Sequence, residues 1–270
     1  MADEVTMARE ALLDAIEALV AQLDAIIVVG AQAIYLHTGS AEVAVAEFTT
    51  DGDLALDPDV LSSDPLVNEA MRQAGFEPDP RSSAIGTWIS RRGVPVDLMV
   101  PDAVAGVGRR GVRVPPHDSK AMRRARGLEA ALVDNSPMVI GALVPATDPR
   151  EFTVAVAGPS ALLVAKLHKI HDRIGTPDRL NDKDAHDVYR LLRAVETDDL
   201  TTALNRLLRD PISSEVTREA LKYLDTDFAR GANADGSLMA GAAERLVGDP
   251  AAVAESVALL ARDLLDAVYP

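Results

Sequence analysis

The hydrophobic pattern is mixed up to Pro159 and almost wholly helical beyond it, and that switch constrains the fold more than any other feature. Before it, helical stretches alternate with short apolar runs rich in β-branched side chains, punctuated by Gly and Pro. After it apolar residues recur at helical spacing almost to the end. With 270 residues there is room for a core domain carrying a helical extension. The pattern predicts an α+β fold, with a mixed sheet and flanking helices over residues 1–158 and a mainly helical region over 159–270. Aromatic residues make up only 3% of the chain, so the core has to be built from Val, Leu, Ile and Ala.

In the first half, Leu12, Leu13, Ile16, Leu19, Val20 and Leu23 predict a helix over 6–24. A buried strand at Ala25–Val29 ends at Gly30, and a second helix spans Ala31–His37. After a turn at Gly39-Ser40, Asp51–Leu56 reads as a strand. Asp64 caps the next helix, with Pro65 at its first position and Gly75 closing it. A hairpin joins Ile85–Ser90 to Val94–Val100, and further strands fall at Met138–Val144 and Phe152–Ala157. In the second half, helices are expected at 159–173, 182–194, 198–209, 215–229 and 251–268. Arg230–Ser237, rich in Gly, Ala, Asn and Asp, reads as a mobile surface loop.

Several classes of function are disfavoured. Without cysteine there are no disulfides or thiolate metal sites. The acidic N-terminus lacks the pattern of a secretory signal, and no apolar run approaches the roughly 20 residues a membrane span needs. A cytoplasmic protein without membrane association is expected. The net charge of −15 argues against broad electrostatic affinity for nucleic acid. Yet Arg109, Arg110, Arg113, Lys120, Arg123, Arg124 and Arg126 crowd one stretch opposed only by Asp118, which suits a single polyanionic ligand.

The chemistry centres on Asp51-Gly52-Asp53. On a strand, positions i and i+2 share a face, about 6–7 Å apart at their α-carbons. Carboxylates at that spacing can bracket a pair of magnesium ions, which complete their shells with water and substrate phosphates. An isolated Asp-x-Asp reads more readily as an Asx turn leading into a strand. Two neighbours favour the metal. Gly30, Ala31 and Gln32 form a strand-to-helix turn where backbone can approach phosphate oxygens and the helix N-terminus favours negative charge. Asp97, in the apolar strand Val94–Val100, needs a counter-charge, either a metal or a salt bridge to Arg91 or Arg92. The Gly30 turn matches neither a Rossmann nor a P-loop fingerprint.

Further on, Lys166, Lys169 and Arg173 share one helical face, and Asp184 and Asp187 sit one turn apart on the next helix. These charges read either as a solvated face or as groups that steady a triphosphate. His168 and His171 lack the context of a metal motif.

Gly30-Ala31, then Asp51-Gly52-Asp53, then Asp97 on a later strand resembles the polymerase-β-type nucleotidyltransferase superfamily. The lysine helix followed by Lys183-Asp184-Ala185-His186-Asp187 is similar to its abortive-infection toxin branch (AbiEii and the mycobacterial MenT toxins). The match covers residues 25–100 and 159–193. Ala31 stands where the superfamily has Gly or Ser, and the spacer from Gly30 to Asp51 is long. The resemblance implies a nucleotidyltransferase-like core and Mg2+ held by Asp51, Asp53 and Asp97. It further implies a nucleoside triphosphate such as ATP contacted by Lys166, and a late catalytic aspartate at Asp184 or Asp187. A transfer RNA 3′ end as acceptor and a cognate antitoxin as partner also follow from it. Two alternatives stay open: transfer to a small hydroxylated antibiotic or metabolite, and a non-catalytic protein that binds nucleotide or a partner.

Overall fold

The computed structural model describes residues 2–39, 49–81, 84–174, 182–246 and 248–269. Ser40 of the expected turn and residues 175–181, between the helices expected at 159–173 and 182–194, lie outside these. Among the described residues the chain is a mixed parallel and antiparallel sheet with flanking helices, followed by a helical second half.

Helix α1 (Ala2–Ala18) leads through a 3-10 segment, Val20–Ala25, into strand β1 (Ile26–Val28), then α2 (Gly30–Thr38). Strand β2 (Gly52–Leu56), α3 (Val67–Gln73), β3 (Glu77–Pro78), β4 (Thr87–Ile89) and β5 (Pro95–Pro101) follow. After a long connection come β6 (Arg123–Ala125), α4 (Glu129–Val133), β7 (Asn135–Gly141) and β8 (Glu151–Ala157). The second half comprises α5 (Pro159–His171), α6 (Asp182–Ala194), α7 (Thr197–Leu207), α8 (Ser214–Leu224), α9 (Asp235–Ala243) and α10 (Pro250–Val268).

The strands lie in the order β3-β4-β5-β2-β1-β8-β7, with β6 extending the β4 edge of β5. At the centre, β1 runs antiparallel to β2, and β2 runs parallel to β5 with Asp53 opposite Asp97. Side chains alternate across a strand, so this register sends both carboxylates to one face of the sheet. The other face presents Leu54, Leu56, Val96 and Leu98, fully buried, with α1 packed over β2 and β5 through Leu12 and its neighbours. Each such side chain contributes about 1.5–3 kcal/mol by burial. Helices α5 and α6 pack against α2, so one hydrophobic core runs from α1 to α10.

Several boundaries differ from the sequence expectation, among them the strand expected at Met138–Val144, which runs over Asn135–Gly141. Asp51 precedes β2 rather than belonging to it. The Asp64-Pro65 bond is cis and lies before α3, whose N-cap is Leu66. The Val67 N–H at the start of that helix donates to Nδ1 of buried His117, a partner 50 residues away that local sequence cannot reveal. The helix expected at 215–229 becomes α8 followed by a π-helical turn, Asp225–Ala229. Arg230–Ser237 is not a mobile loop throughout, because α9 begins at Asp235 and both Gly236 and Ser237 are buried. Its small residues signal close packing. A Cβ on Gly241 would meet the Pro250 carbonyl at 2.3 Å, and one on Gly236 would meet the Phe228 ring at 2.6 Å.

Candidate active site

The site is built on the β1–α2 turn and the paired ends of β2 and β5. Gly30 adopts φ +70°, a conformation only glycine takes readily, and an added Cβ would lie 2.0 Å from Oδ2 of Asp53. The Val29 N–H donates to the Asp53 carbonyl at 3.0 Å, fixing the turn against β2. Asp53 is therefore held against the start of α2. Burial, and next the charges of Asp51 and Asp97, push its carboxyl up to about 7, against the pull of Lys169 and Lys166.

Asp51 sits beside it. Its Oδ1 accepts from the Thr49 hydroxyl at 2.7 Å, and its carbonyl accepts from Gln32 Nε2 at 2.9 Å. Gln32 is buried and also bonds the Ala8 carbonyl and Arg9 Nε. Sequence placed Gln32 among the nucleotide contacts. In the structure its side chain ties α1 and α2 to the backbone of Asp51.

Asp97 lies next to Asp53 across the strand pair. Its Oδ1 accepts from Thr87 at 2.6 Å and its Oδ2 from Arg123 Nη2 at 2.8 Å. The counter-charge thus comes from Arg123, not from Arg91 or Arg92. The latter pairs with Glu10, and the former lies over Gly75.

A second cluster forms where α5 meets α6. Lys166 is buried, with Nζ 2.7 Å from both Asp184 Oδ1 and Asp187 Oδ2. Lys169 also pairs with Asp184 Oδ1, at 3.0 Å, and Arg173 with its Oδ2, at 2.9 Å. Burial alone would strip Lys166 of its proton, but the two carboxylates outweigh it and hold the ammonium charged. Burial would likewise raise the Asp184 carboxyl, yet Lys166 and Lys169 keep it well below the usual carboxylate range. Lys166 is committed to these partners, whereas Lys169, with a side chain 41% exposed, retains donors for a ligand. Partial burial lowers the nearby Lys183 ammonium, although Asp51, Asp187 and Asp184 all draw it upwards, so this residue links the two clusters.

Both clusters open into one cleft of about 1010 Å3, lined by Gly30, Asp53, Lys166, Lys169 and Arg173 among others. The basic stretch supplies the facing wall, but its members differ. Arg123 is spent on Asp97, Arg124 on Asp102 and the Gly106 carbonyl, and Arg126 on Glu215 and Glu219. Arg109 and Arg110 line the cleft, are exposed, and make no ion pair among the described residues. Arg113 and Lys120 do not reach its lining.

Among the described residues, no three carboxylate or imidazole groups converge closely enough to form a ready-made metal shell. Asp51 and Asp53 still fit a magnesium ion in kind. They offer only oxygen donors, and the burial and neighbouring negative charge that push Asp53 towards protonation are what a divalent cation would offset. Asp97, engaged by Arg123 and Thr87, stands alongside.

The supports of Asp97 and Asp51, namely Thr87, Arg123, Thr49 and Arg9, escaped the sequence reading, although Arg123 belongs to the basic stretch singled out there. No protein-family model, curated protein or solved structure matches this chain. No helix among the described residues is long and apolar enough to cross a membrane.

Proposed function

We propose that this chain is a cytoplasmic magnesium-dependent nucleotidyltransferase that moves a nucleoside monophosphate from a nucleoside triphosphate to an acceptor hydroxyl. One observation carries the reading: Asp53, in register with Asp97 on the neighbouring strand, lines the same cleft as Lys169, Arg109 and Arg110. A pocket that gathers acids in one place, with the half-exposed Lys169 and, unpaired among the described residues, Arg109 and Arg110 around them, suits a phosphate chain with a divalent cation.

Magnesium, held by Asp51 and Asp53, would neutralise charge on the phosphates. The rest falls to the protein. The Gly30 turn lets the backbone at the start of α2 come close to phosphate oxygens. Lys169, Arg109 and Arg110 bind and orient the phosphates, and Arg173 lies beside them. Lys166, Asp184 and Asp187 hold Lys169 and Arg173 in place. The acceptor implied by the resemblance is a transfer RNA 3′ end, with a cognate antitoxin as regulator. The acid-rich surface leaves a small hydroxylated acceptor as the competing substrate.

The test is a transfer assay with each of four α-labelled triphosphates, offering total RNA in one arm and small hydroxylated acceptors in the other. Label transfer by the wild type and none by the Asp51→Ala/Asp53→Ala variant is the expected result. Magnesium-dependent triphosphate binding without transfer to any acceptor would instead favour a non-catalytic nucleotide-binding protein. The presence of Ala31 and the engagement of both Asp97 oxygens are the observations on that side.

A further inference from the structure

On a different face of α5 from the lysines, the cleft carries a group that phosphate binding does not use. His171 donates through Nδ1 to Oδ2 of Asp227 at 2.9 Å, and its ring lies flat on Tyr223, with centroids 3.7 Å and planes 10° apart. The Asp227 carboxylate is only 10% exposed, and its other oxygen accepts from the Thr226 hydroxyl at 2.8 Å. It sits in the π-helical turn after α8, a wide turn of the kind that recurs at functional sites.

An ionised carboxylate only accepts hydrogen bonds, so Asp227 fixes the neutral ring as the Nδ1–H tautomer. The lone pair is then on Nε2, which makes no hydrogen bond among the described residues. His171 lines the cleft, with its side chain 44% exposed. His168 offers the contrast. It is buried, its Nε2 is spent on the Val216 carbonyl, and burial holds its pKa down.

Transfer to a hydroxyl needs a proton acceptor. Both oxygens of Asp97 already accept hydrogen bonds, one of them from a guanidinium. We propose that His171 is the general base for the acceptor hydroxyl and that Asp227 is its positioning residue. This rests on the nucleotidyltransferase reading above. Nε2 takes the hydroxyl proton as the acceptor oxygen bonds to the α-phosphorus. The bond from that phosphorus to the bridging oxygen breaks, and pyrophosphate leaves with the electron pair. The proton stays on the imidazolium, stabilised by Asp227.

The groups facing the ring are Asp227 from the π-helical turn and Tyr223 from α8; His168 of α5 packs edge-on against Tyr223, with Glu219 and Arg126 beyond it. Burial, and then Glu219, raise the Tyr223 hydroxyl, so it stays neutral through the working range.

The test combines transfer rates across pH for the wild type, His171→Gln and Asp227→Asn with 15N NMR of the imidazole rings. Expected results are an Nδ1–H tautomer for His171 and an acid limb in the wild-type profile. His171→Gln should lose that limb and about 10²–10⁴-fold in rate. Asp227→Asn should lose less in rate and release the ring from the Nδ1–H tautomer, because the carboxylate that accepts from Nδ1 is gone. Triphosphate affinity, measured by calorimetry, should be unchanged in both, which separates a chemical defect from misfolding. An Nε2–H tautomer, or a His171→Gln variant with the wild-type rate and profile, overturns the proposal. A wild type inactive towards every acceptor brings down the nucleotidyltransferase reading and this inference together, a pattern distinct from an active wild type with an indifferent variant.

Discussion

The two charge clusters along the cleft are opposites. At the strand ends, three carboxylates, Asp51, Asp53 and Asp97, face one paired cation, Arg123. Between α5 and α6, three cations, Lys166, Lys169 and Arg173, enclose two carboxylates, Asp184 and Asp187. The first buries Asp53 and leaves it beside like charges, and burial first, then the charges of Asp51 and Asp97, move it towards protonation. The second satisfies its buried carboxylates and keeps a positive excess. A fold gains nothing by leaving a carboxylate in such a setting, whereas the second arrangement is the ordinary way to keep charge inside a protein. The contrast separates a place prepared for a ligand from the scaffold beside it.

The sharpest way to break this distinction is Lys166→Met. If Lys166 is scaffold, the variant leaves two buried carboxylates facing each other and loses about 3–5 kcal/mol in urea unfolding. A loss below about 1 kcal/mol with transfer abolished would move Lys166 to the ligand side of the comparison. Asp53→Asn should do the reverse. Transfer falls about 100-fold or more, while stability above pH 7 in chelator rises by about 1–3 kcal/mol as the repulsion disappears. A less stable variant would show that the carboxylate is not in conflict.

Dependence on pH sharpens the contrast, because the two aspartates shift in opposite directions. Folded Asp53, raised to about 7, keeps a proton that the unfolded chain releases near 4. Its penalty therefore grows between about pH 4 and 7 and is constant above, so the advantage of Asp53→Asn should widen across that window. Folded Asp184 is depressed, so its contribution is complete above the unfolded value and fades only as pH falls below about 4. The deficit of Asp184→Asn should shrink only there. Denaturation of both variants and the wild type across pH in chelator measures the two slopes, each on the order of 1–3 kcal/mol.

The smallest expected effect is at Gln32→Leu, which cuts the tie from α1 to the Asp51 backbone. Stability should drop by about 1–2 kcal/mol and the magnesium requirement for transfer should rise modestly. A variant with unchanged magnesium dependence would show that Asp51 holds its position without that support.

Much of this architecture was legible in the sequence because it follows local rules. The change of pattern at Pro159 marked the step from sheet to helices, α6 fell where its pattern put it, and Gly30 and the three aspartates were visible as a group. What could not be read was pairing at a distance. Arg123 meets Asp97 because β4, β5 and β6 share an edge, and that topology leaves no local trace. The lysine face of α5 looked solvated or ligand-facing until α6 folded over it. The signal at α9 was present but pointed the wrong way, since glycine and alanine mark a tight seam as well as a loop. Asp227 had no signal at all.

Asp184 meets three cations with only two oxygens, and Lys169, the outermost of the two lysines, is held there by a single contact. A phosphate arriving in the cleft would take the ammonium's remaining donors and draw it away from Asp184, so occupancy of the pocket and the grip between α5 and α6 depend on one shared cation. The seam of the two helices becomes a reporter of ligand. Amide exchange at the start of α6 should quicken when pyrophosphate binds, before any chemistry takes place.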